Sequence, residues 1–191
     1  DNAMPLWALG WLGVMLGDGC LRREDAGFTA TPNNRVLQDL PPLPPDTYLK
    51  QVADSEYRIW LKPPQRKNNP LVQLLKAEKL WGLKSAEKFV PQRVFRQGPA
   101  ERAYFLRHIW NCDGTVNECG RQAVYTTISR TLAYDIKQLL WSIGIPASLG
   151  DYYGTCGFTG RMVHSYRVRV SGGAFNRFIA ALQGDENFNE Q

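Results

Sequence analysis

The chain has 191 residues and is 43% hydrophobic, enough to bury a core, so global disorder is excluded. Its 23 Lys and Arg outweigh 18 Asp and Glu by a net +5, a modest excess that fits a polyanionic partner. The longest apolar stretch, Leu6 to Leu16, is too short and too glycine-broken to cross a bilayer, and no secretory signal is visible, so a non-membrane, cytoplasmic protein is expected.

Asp1-Asn2-Ala3 before Met4 reads as an expression remnant and stands outside the fold reasoning. Pro5 to Leu16 predicts a helix with proline near its start, ended by Asp18-Gly19. Cys20 to Glu24 and Phe28 to Thr31 predict a hairpin around Asp25-Ala26-Gly27. A short helix over Asn33 to Leu40 stops at the proline run Pro41 to Pro45. Tyr48 to Ala53 and Glu56 to Lys62 read as strands, and Pro70 to Trp81 as a helix stopped by Gly82. Lys84 to Gly98 reads as a linker.

The second half repeats this order. Ala100 to Cys112 predicts a helix ended by Asp113-Gly114, followed by a hairpin of Thr115 to Glu118 and Gln122 to Ile128. Thr131 to Ile143 carries Leu132, Ile136, Leu139, Leu140 and Ile143 on one helical stripe. Strands Ala147 to Tyr153 and His164 to Val170 flank a glycine-rich Gly154 to Gly160, and Ala174 to Leu182 is a closing helix before an acidic tail from Gly184. Phe28-Thr29-Ala30-Thr31 echoes Tyr125-Thr126-Thr127-Ile128, and Tyr57-Arg58-Ile59-Trp60 echoes Tyr166-Arg167-Val168-Arg169. The expectation is an α+β chain of two pseudo-symmetric αββαββα subdomains, residues 4–83 and 99–184, joined by 84–98. Antiparallel sheets form a saddle and the motif helices pack at the subdomain interface.

The chemistry gathers at two runs, Trp11 to Gly19 and Leu106 to Gly114, whose Asp-Gly pairs lie 95 residues apart. A duplicated helix ending in a carboxylate can bring two acids together at a symmetric interface, and adjacent carboxylates make a hard-cation site suited to phosphodiester chemistry. The acids repel each other, and each opposes a helix dipole, so a divalent cation is the natural compensation. Gly13 and Gly17 share one helix face and allow close approach of a partner, which would present His108 and Cys112. Cys20, Cys112, Cys119 and Cys156 form no C-x-x-C pair, so free thiols are expected rather than a zinc site.

The two runs resemble the paired motifs of LAGLIDADG homing endonucleases. Tyr125 to Ser129, Leu132-Ala133, Leu139 to Ile145, and Lys88-Phe89-Val90-Pro91 are similar to the intein-type members. The resemblance maps the catalytic, metal-binding acids onto Asp18 and Asp113. It implies Mg²⁺ shared near a pseudo-twofold axis, with the Gly17 and Cys112 carbonyls completing the coordination. It also implies an auxiliary base near the end of the fourth strand, for which Lys62 is the candidate in the first half. The second half offers Arg167, Arg169 or Ser171 and no lysine in register. No splicing domain is visible, so the chain reads as an excised or free-standing endonuclease domain.

The strands supply the polyanion surface. Tyr166, Val168 and Val170 share one face, with Arg167 and Arg169 on the other; Tyr57, Ile59 and Leu61 likewise oppose Arg58, Trp60 and Lys62. Arg22, Thr29, Thr31, Lys50, Arg58, Arg121, Gln122, Tyr125, Thr127, Arg167 and Arg169 are the candidates for a DNA-facing saddle. The leading expectation is a monomeric endonuclease that cuts a long asymmetric double-stranded DNA target without an obligate protein partner. The alternative is a non-cleaving nucleic-acid-binding module, a maturase or regulator, on the same scaffold.

Overall fold

The computed structural model describes residues 3–22, 26–65, 67–117, 119, 121–155 and 160–183. The first half runs α1 (Leu6–Gly17), β1 (Gly19–Cys20), β2 (Gly27–Thr29), α2 (Arg35–Gln38), β3 (Thr47–Ala53), β4 (Glu56–Leu61) and α3 (Pro70–Ala77). After a 3-10 turn at Ser85–Glu87 and α4 (Gln92–Phe95), the second half repeats the order. It runs α5 (Pro99–Asp113), β5 (Gly114–Asn117), β6 (Gln122–Thr127), α6 (Arg130–Ser142), β7 (Ser148–Thr155), β8 (Met162–Ser171) and α7 (Gly173–Gln183). Each half folds a four-stranded antiparallel sheet, ordered β1-β2-β4-β3 and β5-β6-β8-β7. The architecture is α+β. No helix among the described residues is long and apolar enough to cross a membrane.

The two sheets have matching interiors. Trp11 packs on Phe28 at 5.7 Å between ring centroids, and Trp110 packs on Tyr125 at 5.6 Å. Each pair joins a motif helix to the second strand of its own sheet, so the sequence echo of Phe28 and Tyr125 is an echo of core position. In β8 the alternation places Val168 and Val170 in the core and leaves Arg169 exposed on the opposite face. The sheets therefore have one face against helices and one face open.

The helix pair α1 and α5 lies at the centre. Residues Ala8 to Leu16 of α1 are buried all round, which explains why this helix carries no amphipathic stripe. A Cβ on Gly13 would fall 2.9 Å from both Ile109 N and Phe105 O of α5. A Cβ on Gly17 would fall 2.3 Å from the Cys112 Cβ, and one on Gly10 would meet Pro41 Cβ and the His108 ring. Glycine on α1 is thus the space into which the bulkier α5 residues Phe105, His108, Ile109 and Cys112 fit, one helix turn after another. His108 is buried, edge-on to Tyr104 at 4.5 Å. Burial holds its ring neutral, with a pKa lowered to about 4.

Polar clamps flank this apolar crossing. Asp39 at the end of α2 accepts from Arg107 Nε and Nη2 at 2.5 Å each and from Asn111 Nδ2 at 2.8 Å, both partners on α5. These bonds outweigh its burial and hold the Asp39 carboxyl below its usual range. Trp11 Nε1 donates to Pro42 O at 2.9 Å, and Met4 N donates to Gln97 Oε1 at 2.9 Å. The connecting segment is a structural member too. Val90 and Val94 are in the core, Val90 N donates to Asp135 of α6 at 2.9 Å, and Ser129, the N-cap of α6, donates to Lys88 O at 2.6 Å.

Some boundaries differ from the periodicity. The helix from Pro70 ends at Ala77 instead of Trp81, because Lys79 turns left-handed at φ 59° and Leu80 N bonds back to Leu75 O at 2.8 Å. Helix α2 is four residues, Arg35–Gln38, capped by Asn34 and curtailed before Pro41. The expected ends of the first and fifth strands, the Cys119 to Arg121 turn at Gly120, part of the Gly154 to Gly160 stretch with Cys156, and the tail from Gly184 lie outside the described residues. The described cysteines Cys20, Cys112 and Cys119 are free.

The crossing yields a stability test. Gly13→Ala drives a Cβ into main-chain atoms that cannot rotate away, and overpacking of this kind costs about 1–3 kcal/mol. Gly173→Ala, whose Cβ meets nothing within 4 Å, should stay within about 0.5 kcal/mol of the parent. Urea midpoints measure both; a Gly13→Ala chain as stable as the parent would refute the backbone contact.

Candidate metal centre and nucleic-acid interface

The C-terminal ends of α1 and α5 deliver Asp18 and Asp113. Asp18 is the C-cap of α1, and Asp113 is the last residue of α5, which Gly114 closes by donating its N–H to Trp110 O. The carboxylates feel one another. Burial is the main cause that raises the Asp18 pKa to about 6, and the Asp113 charge adds to it; a Cys112 hydrogen bond and the Lys88 charge oppose both. Burial likewise raises Asp113, although its side chain keeps contact with solvent, and Lys88 opposes the rise. Asp18 Oδ2 is buried with no hydrogen-bond partner among the described residues. A buried carboxylate oxygen without a donor is a strong acceptor site.

Lys88 is the buried cation beside the two carboxylates that strand-position reasoning did not select. It is 5% exposed, and its Nζ donates to Leu16 O at 2.9 Å, Gly17 O at 3.0 Å, and Met15 O and Gly19 O at 3.2 Å. The Met15, Leu16 and Gly17 oxygens are carbonyls that the end of α1 leaves without intrahelical partners, and Gly19 O opens β1. The ammonium therefore caps the helix and offsets the charge that the dipole and the acids place there. Burial lowers the Lys88 pKa, against the pull of Asp113, Cys112, Asp18 and Cys20. The signal was present as the Lys88-Phe89-Val90-Pro91 run, but only the chain path brings a residue 70 positions after Asp18 back beneath it.

A cavity of about 220 Å³ opens beside this centre, lined by Gly17, Lys88, Asp113, Thr126, Thr127 and Ser165 among others. Two carboxylates with oxygen neighbours suit a hard divalent cation, which takes its remaining ligands from water and phosphate. Among the described residues no group of three or more His, Cys, Asp or Glu forms a fuller cage. The Gly17 carbonyl, expected as a cation ligand, accepts from Lys88. Cys112 packs its thiol against Gly17 and the His108 carbonyl, and burial pushes that thiol well up.

Lys62 is exposed just past β4, its main-chain N donating to Asp46 O at 2.8 Å, and Lys88 is a lysine whose charge acts on both carboxylates. Two expectations need correction. Tyr125 is in the core beneath Trp110, with its hydroxyl buried and without a hydrogen-bond partner among the described residues. Burial and the charges of Asp113, Cys112 and Asp18 raise that hydroxyl well above its usual pKa. Thr127 lies on the same face as Tyr125 and accepts from Ser129 N at 3.2 Å. Strand period 2 assigns the open face of β6 to Gln122, Val124 and Thr126 instead. The first-half counterpart of Thr127 is the buried Ala30, so the repeat already carried this information.

The other candidates lie on open surface. Arg22, Thr29, Thr31, Lys50, Arg121 and Arg169 are exposed. Register aligns Gly27, Arg58 and Lys50 across the first sheet, and Thr126, Arg167 and Gly150 across the second. Lys50 Nζ sits 4.2 Å over the Trp60 ring, and Arg58 pairs with Glu56 at 3.1 Å.

Residues 100–182 match the model of a LAGLIDADG-like domain. The chain superposes on variants of the homing endonuclease I-DmoI with a TM-score of 0.61 at 11% identity, covering 94% of this chain and 96% of that one. I-DmoI in complex with DNA and Ca aligns with a TM-score of 0.58 at 11% identity over 92% and 88%. The N-terminal LAGLIDADG domain of DUF199/WhiA aligns with a TM-score of 0.51 at 10% identity over 97% and 87%. The second half therefore matches a LAGLIDADG-like domain, and the chain shares the two-unit α+β fold of the I-DmoI structures. It is 32% identical over 181 residues to the replicative DNA helicase DnaB of Synechocystis sp., covering 87% of this chain and 20% of the helicase. It is 27% identical over 153 residues to a DNA gyrase subunit of Mycobacterium kansasii, covering 70% of this chain and 26% of that protein. The chain thus spans about a fifth to a quarter of the length of these relatives.

Two outcomes test the centre. Asp18 binds its proton more tightly folded, near 6, than its ordinary 3.8, so its contribution to stability is complete below pH 3.8 and is lost as pH rises through 6. In EDTA, Asp18→Asn should therefore exceed the parent at pH 7.5, by on the order of 1 kcal/mol after solvent screening, and match it near pH 4. Urea unfolding across this range that shows no such crossover contradicts the assignment. Lys88→Met leaves buried carbonyls without a donor and should cost about 1–3 kcal/mol, whereas Lys62→Met should change stability by less than about 0.5 kcal/mol. Equal losses from the two lysines would overturn the distinction drawn between them.

Proposed function

We propose that this chain is a site-specific, metal-dependent DNA endonuclease that binds double-stranded DNA as a monomer, inside the cell. The observation that carries the proposal is the meeting of Asp18 and Asp113, one from each half, with a buried Asp18 oxygen that has no hydrogen-bond partner among the described residues, in a chain whose two sheets each carry arginine or lysine on the open face. Asp18 and Asp113 would hold the divalent cation, Mg²⁺ by the hardness of the donors. The bound cation would supply charge stabilisation to the attacking and departing oxygens of a phosphodiester.

The chain's own residues do the rest. Lys88 keeps the end of α1 formed and limits the repulsion between the acids before the cation arrives. Arg169, Lys50 and their neighbours neutralise phosphates and hold the duplex in register. The pseudo-twofold arrangement offers one acid to each strand. Alignment to both a helicase and a gyrase supports an intein-type endonuclease unit, because a segment shared by two proteins of different kind behaves as a portable insert.

The test begins by selecting a duplex from randomised DNA in Ca²⁺, then asks for cleavage. Mg²⁺ should give double-strand cleavage that EDTA abolishes. Asp18→Asn and Asp113→Asn should each lower the rate by about 100-fold or more while keeping the selected binding. Affinity should fall steeply with salt as condensed counterions are released. Selected binding with no cleavage in Mg²⁺ or Mn²⁺ would instead assign the chain to the non-cleaving, nucleic-acid-binding reading.

A further inference from the structure

The open face of the second sheet holds one arginine in an unusual way. Arg167 of β8 lies with its guanidinium carbon 3.2 Å from the centroid of the Tyr152 ring. Its Nε is buried with no hydrogen-bond partner among the described residues. The register places Gly150 directly across from Arg167 and Tyr152 across from Ser165, so the tyrosine reaches the guanidinium along the cross-strand diagonal. Gly154 follows two residues later on the same strand face. A Cβ there would stand 2.6 Å from Tyr152 Cε1 and 3.1 Å from its Cζ and hydroxyl, so the ring lies down into space that only glycine leaves.

The hairpin under this stack is stiffened from behind. On the reverse face Tyr153 and His164 stack at 4.5 Å with their planes 5° apart, and His164 Nε2 meets Asp151 Oδ1 at 2.7 Å. The equivalent arginine of the first sheet is held differently. Arg58 directs Nε and Nη2 to Glu56 Oε1 at 3.3 and 3.1 Å, so a carboxylate takes the donors that a base would need. An aromatic face fixes the guanidinium plane while consuming none of its terminal donors. The two terminal amino groups of Arg167 then form a planar fork matched to guanine O6 and N7 in the major groove. Holding the fork in place before binding also reduces the side-chain entropy lost on contact.

We propose that Tyr152, seated on Gly154, is a specificity-determining platform that holds Arg167 to read one guanine in the half of the target lying over the second sheet. The inference rests on the DNA-binding reading and names a positioning residue within it. Arg167 touches the base, and Tyr152 acts through Arg167.

Site selection from randomised duplex DNA in Ca²⁺ tests it, with the parent, Arg167→Lys, Tyr152→Leu, Tyr152→Phe, Gly154→Ala and the Arg167→Lys/Tyr152→Leu double variant. Arg167→Lys should lower guanine preference at one position by about tenfold. Tyr152→Leu and Gly154→Ala should lower it at that same position, Tyr152→Phe should retain it, and the double variant should lose no more than Arg167→Lys alone. Tyr152→Leu keeps the arginine charge, so its salt dependence on non-specific DNA should match the parent, which separates lost orientation from lost fold. If Tyr152→Leu keeps the preference, or loses it at a different position from Arg167→Lys, the platform is wrong while DNA binding stands. A parent protein that selects no sequence overturns both.

Discussion

Two helices that touch main chain to main chain set everything else in this molecule. Gly13 of α1 leaves no room for even a methyl group against Phe105 and Ile109 of α5. Because the helices meet there, the ends they reach one turn later are also close, and each ends in an aspartate. Two like charges at two negative helix ends are unfavourable in isolation. The fold admits them because the surrounding core is extensive and because Lys88 places a cation against the last carbonyls of α1. What remains uncompensated, a carboxyl whose pKa is lifted to about 6 and which has one buried oxygen without a partner among the described residues, is the property a divalent cation would use.

Pseudo-symmetry governs the scaffold more strictly than it governs the surface. Trp11 on Phe28 and Trp110 on Tyr125 are near copies, as are the two strand orders. The motif helices already diverge, with glycine on one and His108 and Cys112 on the other. That divergence is complementary, since space given up by α1 is filled by α5. The open faces diverge further, with Arg58 held by a carboxylate and Arg167 by an aromatic ring. A two-unit protein of one chain is free to do this, whereas a symmetric pair of identical chains is bound to present the same face twice.

The connection between the halves illustrates how a residue gains a role from its path. As sequence, the stretch from Lys84 to Gly98 reads as a linker. Folded, it buries Val90 and Val94, bonds through its main chain to Ser129 and Asp135, and sends Lys88 beneath Asp18. It couples the first helix of one half to the cap of a helix in the other. The geometry of the carboxylates therefore depends on a segment that contributes no carboxylate.

Much of this was legible before folding. Apolar periodicity, turn residues and the internal echo determine the helix and strand order, the two Asp-Gly stops and the alternation of β8, because these follow from local spacing. Local spacing also misled in identifiable ways: Tyr125 and Thr127 looked like polar surface although their partners in the repeat, Phe28 and Ala30, are apolar. Tertiary structure alone decided which lysine meets the acids, which thiol fills the glycine gap and which arginine acquires an aromatic bed. Those are contacts between residues far apart in the chain, and only the packing of helix on helix and strand on strand brings them within a few ångströms.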